Sequence, residues 1–252
     1  MKRTKEEKAS AREQFRQLSF RKKAEHIFIY YKWYILLGLV LLVILGSAIY
    51  RLATKKEPVL YLGLTNVSVG SELEQVLGAD YLTYYGLDPR KTEVYLYLDL
   101  FLSEDAEGEA HKAAYASRVK LMASVNNQQM DILIMSRQAY DILSAQGYLL
   151  ELPELLSEAP ALSAAAAPLL TENAVVLEDN AIEWQLNEAD EHVIRTEQMV
   201  NGLRITDLPR FVSAGFSEEV YLGVLANTPR RDACLTYLRY LMASEAQSQQ
   251  QG

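Results

Sequence analysis

The stretch "DILIMSRQAYDILSAQGYLLELPELL", residues 131–156, decides the reading of this chain. Residues 131–135 form an uninterrupted apolar run behind one acid, the pattern of a strand buried on both faces. Ser136 and Arg137 end it. Tyr140, Ile142 and Leu143 then follow at helical spacing, Gly147 breaks the helix, and an extended Leu-rich stretch comes after.

Working outward from this unit, strands alternate with helices. Residues 59–65, "VLYLGLT", are a short buried strand. Ser71 with Glu74 reads as a capping box opening a helix that carries Leu73, Val76, Leu77, Tyr81 and Tyr84, ended by Gly86 and Asp88-Pro89. Residues 92–101 are a second strand, and 106–126 a long helix. Helices of this length between strands suit a parallel crossover, which needs about a dozen residues. The expected fold is therefore α/β with a mainly parallel sheet. The later part is less ordered: "PALSAAAAPLL" (160–170) reads as a helix or linker, and "NAVVLED" and "NGLRITDLP" as strands in no settled order. Near the end, "EEVYLGVLANTPRRDACLTYLRYLMASEAQ" reads as a strand, a turn and a helix. Thr228 is then the expected N-cap, with Pro229 the first residue of a last helix whose stripe is Cys234, Tyr237, Leu238, Leu241 and Met242.

Charge divides the chain. Residues 1–32 hold ten Lys or Arg against four Glu, whereas the remainder is net −14 within an overall −8. Phosphate neutralisation by Lys and Arg drives nucleic-acid binding, so an acidic body argues against that partner. Between the two lies "WYILLGLVLLVILGSAIY", residues 33–50, uncharged from Lys32 to Arg51. At about 1.5 Å per residue it reaches roughly 27 Å, enough to cross a hydrocarbon core. Trp33, Tyr34 and Tyr50 sit at its ends as interface anchors, and the basic lead puts the N-terminus in the cytoplasm. A cleaved signal peptide would need an n-region of about thirty residues, so an uncleaved signal anchor is preferred. Residues 1–32 are then a cytoplasmic basic segment. It is either an amphipathic helix on the inner leaflet, with Phe15, Leu18, Phe20, Ile27 and Phe28 inward, or an ordinary positive-inside flank. Residues 51–58 are a linker, 59–246 an extracytoplasmic domain and 247–252 a frayed tail, giving a single-pass protein of the plasma membrane. Cys234, the single cysteine, can form no internal disulfide and is read as core.

Two stretches carry a resemblance. "MDILIMSRQAYDILSAQGYLLELPELL" resembles the strand, helix, Gly and Leu-Pro segment of bacterial extracellular solute-binding proteins. "YLGVLANTPRRDACLTYLRYLMASEAQ" is similar to their late strand and helix. With "YLGLTN" as first strand, about 110 residues are covered. The resemblance implies one lobe of a periplasmic-binding-protein-like (type II) fold, because the chain is too short for two full lobes. The lead "YYKWYIL" also resembles single-span membrane proteins of Gram-positive anaerobes, which implies no activity.

No catalytic motif is present. His26, His111 and His192 are scattered, no His, Cys or carboxylate spacing suggests a metal cage, and no cofactor is expected. If the sheet is parallel, ligands belong at the carboxyl ends of its strands. That selects Thr65, Asn66 and Ser68, then Asp99 and Ser103, then Ser136 and Arg137, then Asn227 and Thr228. Ser136 and Thr228 would favour an anion at helix N-termini, with Arg137 adding charge; capping alone also explains Ser71, Ser136 and Thr228. Two functions follow: a binding module for a small solute, peptide or partner protein, or an assembly protein using the fold as an interaction surface. Sixteen tyrosines, with Tyr84, Tyr85, Tyr95 and Tyr97 expected close together, speak for the second.

Overall fold

The computed structural model describes residues 33–34, 36–47, 55–186, 191–212 and 214–243. The chain forms two compact units, Met1–Lys55 and Lys56–Gly252. In the first, Trp33, Tyr34 and residues 36–47 are helical with exposed side chains. No helix among the described residues is long and apolar enough to cross a membrane. Tyr50, the basic lead 1–32, linker residues 51–54 and the tail lie outside the described residues.

The second unit is built on a six-stranded sheet. Its strands are β1 (Glu57–Thr65), β2 (Thr92–Leu100), β3 (Ile132–Ser136), β4 (Leu170–Asp179), β5 (Ile194–Arg204) and β6 (Val220–Val224), in the order β2-β1-β3-β6-β5-β4. β1 lies parallel to β2 and β3, as the crossover lengths require. The pairings β3–β6, β6–β5 and β5–β4 are antiparallel. The sheet is therefore mixed rather than mainly parallel. β4 and β5 form a hairpin, and residues 205–219 return the chain antiparallel into β6.

Helices cover both faces. They are α1 (Ser71–Gln75), α2 (Tyr81–Tyr84), α3 (Gly108–Asn126), α4 (Arg137–Ala145), α5 (Leu152–Ser157), α6 (Pro160–Ala166), α7 (Ala181–Gln185), α8 (Pro209–Val212) and α9 (Arg231–Met242). One face of the sheet, with Leu60, Leu62, Ile132, Ile134, Leu222 and Val224, packs against α1, α2, α5, α6 and α9. The other, with Leu133, Met135 and Tyr221, packs against α3 and α4. Burial on both faces is why β3 and β6 read as continuous apolar runs.

Local details correct several expectations. α1 begins after Gly70 without a side-chain cap, so Ser71 closes no capping box. Between α1 and α2 the chain makes a π-turn, Val76–Asp80, and the carbonyls of Val76 and Leu77 accept from the Tyr240 and Tyr237 hydroxyls of α9 at 2.7 and 2.8 Å. A π-turn leaves carbonyls free for such partners. Gly147, at φ +71, ends α4 as expected, its N–H bonding the Ser144 carbonyl. The extension that follows is brief, joining Leu149 to Leu225, before Leu152 turns into α5 with Pro153 in its first turn.

Candidate functional site

The parallel strands β1 and β3 end side by side, Thr65 opposite Met135, so Asn66 and Ser136 emerge as neighbours. Asn66 takes a left-handed conformation, φ +56. Its side chain clamps the exit of β2: Nδ2 donates to the Leu102 carbonyl at 2.6 Å, and Oδ1 accepts from the Leu102 N–H at 2.7 Å. Thr65 is fully buried and its Oγ1 has no hydrogen-bond partner. Ser68 is exposed. Asp99 is also exposed, at φ +58, where the register between β1 and β2 shifts. That bulge turns Leu100 into the core beneath α3, while Leu98 packs on the opposite face.

Ser136 caps α4 through its Oγ, which accepts from the Ala139 N–H at 3.4 Å. Arg137 opens the helix with its charge already engaged. Nε donates to both Asp141 carboxylate oxygens, at 2.9 and 3.1 Å, and Nη1 lies 3.5 Å from the Tyr221 hydroxyl. Those bonds, to Tyr221 first and then Asp141, hold the guanidinium protonated well above its ordinary range. Asp141 also accepts from Asn173 Nδ2 at 2.8 Å, and the Tyr221 hydroxyl donates to Glu219. That bond, followed by Arg204, lowers the Glu219 carboxyl. Burial is the first cause raising Tyr221.

Between Asn66, Val67 and Ser136 on one side and residues 216–220 on the other lies an open recess of about 110 Å³, with Glu218 and Glu219 in its wall. It falls short of the roughly 300 Å³ at which small-molecule pockets begin. Two other open recesses lie at Ser103, His111 and Arg118 (about 270 Å³) and at Gly70–Leu73 with Ala214 (about 460 Å³). Among the described residues no group of three or more His, Cys, Asp or Glu is placed to hold a metal ion.

Asn227 and Thr228 do not join this edge. Because β6 runs antiparallel to β3, they emerge at the opposite end of the sheet. Asn227 Nδ2 donates to the Val125 carbonyl at the end of α3 at 2.8 Å. Thr228 is buried and caps no helix, since α9 begins at Arg231. Its hydroxyl donates to Asp131 Oδ1 at 2.6 Å and accepts from the Arg230 N–H at 3.1 Å. Asp131 is fully buried, accepts from the Tyr61 N–H at 2.9 Å and pairs with Arg230 at 3.1 Å, whose guanidinium lies 4.7 Å above the Tyr61 ring. Sequence reasoning missed this latch, although an acid heading the apolar run 131–135 signals a buried charge in need of partners. It also missed Asp141, one turn from Arg137 on α4 at a spacing that suits an ion pair, and Glu219, two residues before its donor Tyr221. The tyrosines divide: Tyr84 and Tyr85 join Tyr81, Tyr237 and Tyr240, whereas Tyr95 and Tyr97 gather beside Tyr61. Cys234 is buried, and desolvation, then Asp131, pushes its thiol up to about 12.

Comparisons of the chain with protein-family models, with curated proteins and with solved structures find no match.

Proposed function

We propose that this chain is a non-catalytic, membrane-held binding module whose extracytoplasmic α/β domain engages a partner protein rather than capturing a small solute. One observation carries this reading: the strand-end edge where a solute would be held is occupied by internal partners. Arg137 is engaged by Asp141 and Tyr221, Asn66 by the Leu102 backbone, and the open recess beside Asn66 and Ser136 is about 110 Å³ and acid-walled. A site that must recruit an anion keeps its cation available, and an acidic rim opposes anion entry. Anchoring rests on the uncharged run 33–50 and its basic lead, and the outward placement of the domain on the charge asymmetry.

A solute-binding role is the second reading. It is favoured by Thr65 Oγ1, a buried hydroxyl without a partner at the end of β1.

The experiment is cross-linking of intact cells with a membrane-impermeant lysine reagent, which reaches Lys112 and Lys120 on α3 only if the domain faces outward. The proposal expects an adduct of discrete mass containing one further protein. A chain that stays unmodified on intact cells and reacts only after lysis would refute the outward placement. Modification without any adduct would refute the partner.

A further inference from the structure

α3 buries one side and leaves apolar groups on the other. Ala114, Leu121, Ser124 and Val125 are buried, whereas Tyr115, Val119 and Met122 are 67, 49 and 45% exposed. Spaced by four and then three residues, these three stand one above the other on a single outward stripe, so helix geometry itself makes them one surface. A solitary exposed apolar side chain is ordinary; a stripe of them on a helix whose core side is already filled serves nothing inside the domain. Tyr115 also lines an open recess of about 270 Å³ with Ser103, Glu104, His111, Arg118 and Gln146. The side chains of Ser103, His111, Tyr115, Arg118 and Gln146 make no hydrogen bond or ion pair among the described residues. Each can donate, and Arg118 brings a full positive charge. The recess is thus the reverse of the edge at β1 and β3, where Asn66 and Arg137 are already engaged.

The donor set and the charge select the occupant. Five donors around one acid, Glu104, match a carboxylate, and the volume fits a side chain rather than a whole solute. Along the stripe, Lys112 and Arg118 stand three residues either side of Tyr115 and flank it, while the one acid of α3, Glu109, is bonded to Lys112 at 2.7 Å. A bilayer of anionic lipid would be met by the four acids of residues 104–109 at the head of the helix. A helix laid from Tyr115 towards Met122 meets the cations instead, and complementarity requires it to be acidic. We propose that the outward stripe of α3 is the docking surface of the module, and that it receives an acidic amphipathic helix of a partner protein, with one carboxylate in the recess at Arg118 and apolar side chains on Tyr115, Val119 and Met122. Laying an amphipathic helix along an apolar stripe is a recurrent mode of protein recognition, and Tyr and Arg are residue types that commonly dominate it. The inference rests on the protein-binding reading above and assigns that role to one surface.

The full chain, in nanodiscs of zwitterionic lipid, is titrated against fluorescein-labelled amphipathic helical peptides of about 18 residues that share a Leu face and carry Glu, Gln or Lys on the polar face. Anisotropy is the readout and empty nanodiscs are the blank. The expected result is saturable binding of the Leu/Glu peptide alone, weakened by salt and weakened about tenfold by Arg118→Ala and by Tyr115→Ala. Both side chains are exposed and make no bond within the domain, so each variant should keep the melting temperature of its parent. Binding of no peptide above the blank, equal binding of the Leu/Gln or Leu/Lys peptide, or undiminished binding by either variant would overturn the proposal. The cross-linking experiment separates the two levels. An adduct that survives Tyr115→Ala combined with Arg118→Ala places the partner elsewhere, and an adduct of twice the chain's mass makes the partner a second copy; each overturns only this inference. Absence of any adduct in the parent chain removes the reading beneath it.

Discussion

Asp131 shows how a single residue ties the ends of the fold together. Its carboxylate is removed from water, and three donors meet it there, Tyr61 from β1 and Thr228 and Arg230 from the β6–α9 loop. Such a pair adds little over an apolar substitute, but breaking it strands the remaining charge. Asp131→Ala should therefore cost about 3 kcal/mol, read as a lowered urea midpoint with an unchanged slope. Thr65 presents the opposite case, since its hydroxyl is buried with nothing to bond. Replacement by an isosteric apolar group removes that penalty, so Thr65→Val should stabilise by about 1 kcal/mol. A loss of stability instead would mean that the hydroxyl serves a bound group, and would revive the solute reading. Out on the β4–β5 hairpin, where the Trp184 ring stacks on His192, the His192 bond first, and the Ala181 N–H second, lower the Asp179 carboxyl. A depressed carboxyl contributes above its ordinary value of 3.8 and loses that contribution as pH falls through the lower folded value. In the Trp33→Phe chain, where Trp184 is the sole tryptophan, its emission should accordingly change as pH falls below about 4, and Asp179→Asn should remove that step.

At the scale of elements, the hairpin is anchored at its root and independent at its tip. Tyr140 of α4 donates to the Thr171 carbonyl and to Asn201 Oδ1, and Asn201 Nδ2 in turn donates to Ser144 Oγ at 2.8 Å. Gly202 is required there, because a Cβ would lie 2.5 Å from the Tyr140 ring. Replacing residues 177–195 with an Asn-Gly turn should thus leave the root intact and shift the melting temperature by no more than a few degrees, as scanning calorimetry would record. A collapse in stability would show that the arm belongs to the core. These elements also explain what was legible. The 131–147 unit could be read because strand, cap and Gly break are local. Asn201-Gly202, read as the start of a strand, lies inside β5, and its glycine answers to Tyr140 of α4, which local sequence could not show. Residues 220–224 announced a buried strand but not its direction. The antiparallel pairing with β3 is what carried Asn227 and Thr228 away from Thr65, Asn66, Ser136 and Arg137.

At the scale of the whole molecule, the central claim is that the domain binds a protein and captures no small solute. Thermal unfolding of the full chain against sugars, amino acids, short peptides and anions tests it most directly. A ligand specific for the folded state at about 100 times its dissociation constant adds roughly 2.7 kcal/mol, a plainly visible shift. The account predicts an unchanged melting temperature across the panel. A reproducible, saturable rise with any one small solute, abolished by Arg137→Ala, would contradict it and return the site to the ends of β1 and β3.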